Sequence, residues 1–218
     1  MSSITAGDTV SFKCGDYFPD SLRVTRSGTS LAPIVFNSYG TGNQPVFYGR
    51  GSRIYYLVYS YGQSNLVFYN LKISDTTISM TDRSIQSNIQ TGFEFDGNCS
   101  NNIIRKCTID RVGVGVYFPQ NSNNHIMDSC DIGNMRMVRN TPRSVNNNDD
   151  YGANPIVISS YGNKVLHGYF HDCWALSYDY TYDGGAIEFF GGSADNNLIA
   201  YNTFIDCNGT IEHGSSNG

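Results

Sequence analysis

Charge is scarce in this sequence. Only 15% of its 218 residues are Asp, Glu, Lys or Arg, and lysine stands at just four positions, Lys13, Lys72, Lys106 and Lys164. Long surface helices draw on Lys, Glu, Arg and Ala, so this scarcity argues against a helical protein. The formal net charge is −5, which speaks against nucleic acid or an anionic membrane as partner. No apolar run is long enough to cross a bilayer, so no membrane insertion is expected. The six cysteines contain no Cys-x-x-Cys pair, which removes the zinc-ribbon and thioredoxin-type readings. Met1-Ser2-Ser3 reads almost directly into the strand pattern. An exported protein would then carry its signal outside these residues.

Gly, Asn, Ser and Tyr are abundant, a mixture that suits many short strands joined by tight turns. The stretch Asp183–Gly214 shows how they are arranged. Gly185-Ala186-Ile187-Glu188-Phe189 lies over Gly209-Thr210-Ile211-Glu212-His213 at an offset of 24 residues. A repeat of this length means stacked supersecondary units. A frame of apolar-x-x-small-x-apolar recurs upstream: Phe68…Leu71…Ile73, Ile104…Cys107…Ile109, Met127…Cys130…Ile132, Val165…Gly168…Phe170 and Ile199…Asn202…Phe204. Asn or Gly precedes each copy. Asn suits such turns because it tolerates left-handed backbone and can hydrogen-bond to the units above and below.

A second strand frame follows each time, with middle residues Glu94, Tyr117, Val157, Glu188 and Glu212. Alternation along a strand turns their neighbours inward and sets these five on one outward column. His213 falls on an inward position. Two corners carry insertions, roughly Arg136–Ala153 and Trp174–Gly184. Long loops gathered on one corner of a repeat protein usually build its binding face, so both are expected to wall a groove along the column.

The segments AGDTVSF, SGTSLAPIVFNSYG and GNQPVF near the start, with DGGAIEFFG and NNLIAYN later, resemble the pectate lyase-like, right-handed parallel β-helix superfamily. The resemblance covers most of the chain. It implies an all-β fold, a single right-handed parallel β-helix (solenoid) over residues 1–218, with corner-loop insertions. The ends read as uncapped, which suggests a piece of a longer chain or a stacking unit. The superfamily includes lyases, hydrolases, epimerases and binding or spike proteins, so it constrains activity weakly.

The candidate catalytic residues are Glu188, Glu212 and Asp183. Carboxylates on adjacent strands lie ~5 Å apart, and like charges that close raise one pKa, which yields an acid and a base. That separation suits a retaining glycosidase, and a wider one suits inversion. A solvated acidic strand face is the plain alternative. Candidate substrate-binding residues are Glu94 and Tyr117 on the column, with Trp174, Tyr178, Asp179, Tyr180 and Tyr182 on the shorter insertion. Their rings can stack on sugars or simply pack the loop onto its coil. Lyases of the superfamily typically use a Lys or Arg with calcium. Here no lysine falls in the column, and only Arg139 and Arg143 come near it. Asn146–Asp150 offers oxygen ligands for calcium without a calcium-loop spacing. No metal site or cofactor is therefore expected, calcium being the open exception. His125, His167 and His171 read as surface residues. Cys107 over Cys130, and Cys173 with Cys207, read as buried free thiols, inter-rung disulfides being the alternative.

Three functions remain open. The first is an extracellular, secreted or cell-surface protein that binds and cleaves a polysaccharide, a glycosidase more than a lyase. The second is a structural β-helix of an adhesin, spike or filament that self-associates end to end. The third is a calcium-dependent polysaccharide lyase.

Overall fold

The computed structural model describes residues 3–191 and 194–214. In it, each apolar-x-x-small-x-apolar frame becomes two short strands meeting at a corner, such as Leu66–Tyr69 and Lys72–Ser74. One residue per corner takes a left-handed backbone: Asn70, Lys106, Ser129, His167 and Tyr201, with φ between 51° and 61°. A single left-handed residue turns the chain sharply while both flanking apolar side chains stay inward. That conformation disfavours a side chain by ~1–2 kcal/mol, so stacking on the neighbouring coils must hold it.

The strands build three parallel sheets of seven, wound as a parallel β-helix. No helix occurs among the described residues, and none is long and apolar enough to cross a membrane. The tube is filled by stacked side chains, some in register along one sheet and some meeting across sheets. Phe36 stacks on Phe68 at 5.1 Å and Phe68 on Phe95 at 5.7 Å. Phe95 then stacks on Phe118 at 6.3 Å. Such aromatic pairs add ~0.5–1.5 kcal/mol each beyond their buried area.

Asparagines form a ladder at one turn, as expected. Asn102 Oδ1 accepts the Leu66 N–H, Asn163 Oδ1 accepts the His125 N–H, and Asn197 Oδ1 accepts the Asn163 N–H. His125 supplies the missing step, its Nδ1 accepting the Asn102 N–H. The surface reading of His125 is thus corrected: it is fully buried and does an asparagine's work. Its Nε2 meets Ser122 Oγ, and burial drives its pKa down to about 3, so the ring stays neutral.

The cysteines are free thiols. Cys107 and Cys130 are buried, and Cys173 pairs in register with Cys207. His213 lies in the inward column beside Phe189 but is exposed. The two insertions are ordered hairpins, one pairing Met137–Arg139 with Tyr151–Gly152 and the other Ala175–Ser177 with Thr181–Asp183.

Candidate active site

The third sheet places Glu94, Tyr117, Val157, Glu188 and Glu212 on one line of paired residues. Tyr59 and Arg23 extend it. Beside this line runs a second outward line, Tyr56, Thr91, Val114 and Asn154, absent from the sequence reading. It arises because the strands bend. Two consecutive residues, such as Gly92-Phe93 and Gly115-Val116, both face the core. A Cβ on Gly92 would meet the core side chains Ile73 and Ile109, and one on Gly115 would meet Ile132. The residues on either side of each inward pair then turn outward and flank a trough. The legible signal was the small residue or proline before each inward apolar residue: Gly92, Gly115, Pro155 and Ala186.

The trough holds a cavity of about 290 Å³. Tyr56, Thr91, Val114, Tyr117, Asn154 and Val157 form its floor, Glu94 and Glu188 its two acids, and Gln90, Tyr151 and Phe190 complete the lining. Tyr151 comes from the long insertion, and Val138 of the same hairpin packs on Val114 and Val157. The long insertion therefore walls the groove. Among the described residues, no Lys, Arg or His lines it.

Burial, then the neighbouring Glu212 and Asp183, push the Glu188 carboxyl up to about 7. Burial also raises Asp183, to about 6, against the opposing N–H of Gly184 and with help from Glu212. Burial raises Glu212 too. Glu212 and Asp183 are thus the neighbouring charges that act on Glu188. Glu188 and Glu212 sit on adjacent strands, yet their carboxylates lean in opposite directions. Glu212 Oε1 lies 2.6 Å from where a Cβ on Gly185 would stand, and Glu188 Oε1 2.6 Å from one on Gly214. Glycine at both places leaves room for them.

The shorter insertion is arranged otherwise than expected. Trp174 donates its indole N–H to Asp206, lies under Arg83 and meets Tyr182 edge-on at 5.6 Å. Both rings line a separate depression with Asp206 and Asn208. Tyr178 is exposed, and its N–H is tied to Asn140. Asp179 is buried; its Oδ2 accepts the N–H groups of Asp149 and Asp150 while its own N–H donates to Asp150 Oδ2. Tyr180 donates to Asn148, and its strongest charged neighbour is Asp183. Of the five aromatic or acidic residues expected here, Tyr180 and Asp179 are the neighbours of Asp183. Trp174 and Tyr182 are held instead against each other, Arg83 and Asp206.

The long insertion is equally well tied. Asp149, Asp150 and Asp179 place carboxylate oxygens within 4.8 Å of one another, a spacing that could hold a hard cation. Backbone N–H groups already occupy Asp150 and Asp179, while Arg139 reaches Asp149 at 3.4 Å and Arg143 reaches Asp179 at 3.8 Å. The two arginines near the groove are thereby engaged in the hairpins.

A parallel β-helix with an acidic trough on one sheet is the class these features define. No family model matches the chain, and no curated protein matches it. Solved structures do. An alginate lyase from Paenibacillus sp. str. FPU-7 superimposes with a TM-score of 0.59 at 17% identity, over 94% of this chain and 72% of that one. A rhamnogalacturonan lyase gives 0.54 at 13%, over 98% and 56%. A GH136 lacto-N-biosidase from Eubacterium ramulus gives 0.53 at 16%, over 97% and 49%. The chain spans about half the length of the last two. At these identities the likeness establishes the fold.

Proposed function

We propose that this protein is a carbohydrate-active enzyme that hydrolyses glycosidic bonds, with Glu188 as proton donor. The observation that carries the reading is Glu188 in the lining of the groove, paired with Glu212 on the adjacent strand and with its carboxyl lifted toward neutrality. A general acid works best with a pKa near the operating pH, and Glu188, at about 7, meets that requirement. Glu212 is the partnering carboxylate; burial, then the charges of Glu212 and Asp183, keeps Glu188 protonated. The opposite lean of the two glutamates favours the wider spacing of single displacement, in which a water is activated between the carboxyls. The acid protonates the glycosidic oxygen, the base takes a proton from water, and the hydroxyl adds to the anomeric carbon as the leaving sugar departs.

A lyase must withdraw a proton beside a uronate carboxylate and neutralise that carboxylate. Among the described residues, no cationic side chain lines the trough to do so. The structural neighbours named as lyases therefore support the carbohydrate-active part of the reading, and the acid trio favours hydrolysis. Export to the cell exterior, where polysaccharides are met, belongs to the same proposal.

The test is a polysaccharide panel read both for new reducing ends and for unsaturated products. Reducing ends without unsaturation are expected, with kcat/KM falling as pH rises through about 7, where Glu188 loses its proton. Unsaturated products, or Glu188→Gln and Glu212→Gln proteins as active as the wild type, would overturn the assignment.

A further inference from the structure

Glu94 differs from the other buried carboxylates of the molecule. Asp75 accepts the N–H groups of Thr77 and Asn88. Asp110 pairs with Lys72 at 3.0 Å and with Arg111 at 3.3 Å. Asp150 and Asp179 hold each other's backbone, and the one Asp179 oxygen without a hydrogen bond faces Arg143 at 3.8 Å. Glu94 is equally buried, 7% exposed, yet it forms no ion pair among the described residues, and its side-chain partner is Thr91. Buried carboxyls are ordinarily provided with donors. One left with spare hydrogen-bonding capacity at the wall of a cavity is placed for something the cavity receives.

The surroundings of Glu94 specify that guest. Tyr56 stacks on Tyr59 at 4.4 Å and, with Val114 and Tyr117, gives the trough an apolar and aromatic floor at this end. Such a floor fits the C–H face of a pyranose ring, and a lone carboxyl fits its hydroxyls. Glu94 stands three strand steps from Glu188 along the line, about 14 Å at ~4.8 Å per step. That is more than one sugar ring can bridge.

We propose that the Glu94 end of the trough is a separate sugar subsite for an uncharged ring, so that the ligand is a neutral oligosaccharide long enough to reach from Glu94 to Glu188. This rests on the carbohydrate reading above and adds the charge and length of the ligand. Burial, then Asp96, pushes Glu94 up to about 7. Near neutrality the carboxyl therefore keeps a proton to donate, where a cation-binding site would hold it ionised. A uronate at this end would meet Glu94 and Asp96, while the nearest cation on the line, Arg23, stands two strand steps from Glu94 over the Tyr59 ring.

Calorimetric titration tests this on the Glu188→Gln protein, which suppresses turnover. The probes are hexasaccharides and disaccharides of β-linked glucose, mannose, xylose and galactose, and hexasaccharides of mannuronate and galacturonate. At least one neutral hexasaccharide should bind about tenfold or more tighter than its disaccharide, and the uronates should bind more weakly. Adding Glu94→Ala should weaken that hexasaccharide about tenfold and leave the disaccharide unchanged. Adding Glu94→Gln should keep binding within about threefold and remove its decline between pH 6 and 8. Tighter binding of uronates, no binding of any neutral hexasaccharide, or equal effects of Glu94→Ala on both lengths would each overturn the subsite. Neutral hexasaccharides that bind but are never cut by the wild type would overturn hydrolysis and leave the subsite standing.

Discussion

Two groups of acids lie close together in this molecule and behave in opposite ways. In and beside the trough, burial raises the carboxyls of Glu94, Glu188, Glu212 and Asp183. In the hairpins, burial works to raise Asp179 too, but the N–H groups of Asp149 and Asp150 and the Arg143 guanidinium hold it below the usual carboxylate range. Depth is similar at Glu94 and Asp179, 7% and 5% exposed. The difference is the supply of donors. Where the backbone and arginines point N–H groups at a carboxylate, it becomes a structural clasp. Where they do not, it becomes a proton carrier.

The contrast breaks most visibly at Glu188. Glu188→Gln should cut hydrolysis by about 10²–10⁴-fold without lowering the melting temperature, measured by product release and calorimetry. The reverse pattern is expected at the clasp. Asp179→Ala leaves the N–H groups of Asp149 and Asp150 without their acceptor. It should lower Tm by roughly 5–10 °C, while the pKa read from the pH profile of kcat stays in place.

A third experiment separates the two groups by pH. A carboxyl whose folded pKa exceeds its unfolded value binds its proton more tightly in the native state. Stability then falls as pH rises from the unfolded value, about 4.5, through the folded value, about 7. Glu94→Gln removes that loss and should gain on the order of 1–3 kcal/mol at pH 8 and nothing at pH 4. Asp179 runs the other way, its stabilisation being present above the unfolded pKa and lost as pH drops through the folded one. Equal pH slopes for the two variants in urea titrations would erase the distinction. The smallest effect belongs to Tyr180, which stands between the groups. Tyr180→Phe removes one hydrogen bond to Asn148 and should cost at most about 1 kcal/mol. A shift in the pH optimum of more than half a unit would instead make Tyr180 part of the catalytic cluster.

The outward column was legible because alternation along a strand is a strict rule, and Glu94 through Glu212 obeyed it rung by rung. The second line was not, because it depends on two inward residues in succession, and only the modest Gly92, Gly115, Pro155 and Ala186 mark the bend. Trp174 and Tyr182 show a different limit. Composition said that aromatics crowd the shorter insertion, but which way a hairpin turns depends on partners such as Asp206, Arg83 and Asn140, remote in sequence. His125 illustrates a third. A ring nitrogen can take an amide oxygen's place in a ladder, and nothing local distinguishes that from a solvent-facing histidine.

The asparagine ladder also governs how such a chain can diversify. Each coil offers its neighbours the same acceptors and the same strand register, so a duplicated coil would dock without altering those on either side. Inserted between Glu94 and Glu188, one extra coil would move the two acids a further ~4.8 Å apart, a ruler that lengthens in whole notches. Ligand size could then be retuned by gene duplication alone, with the chemistry at Glu188 left as it is.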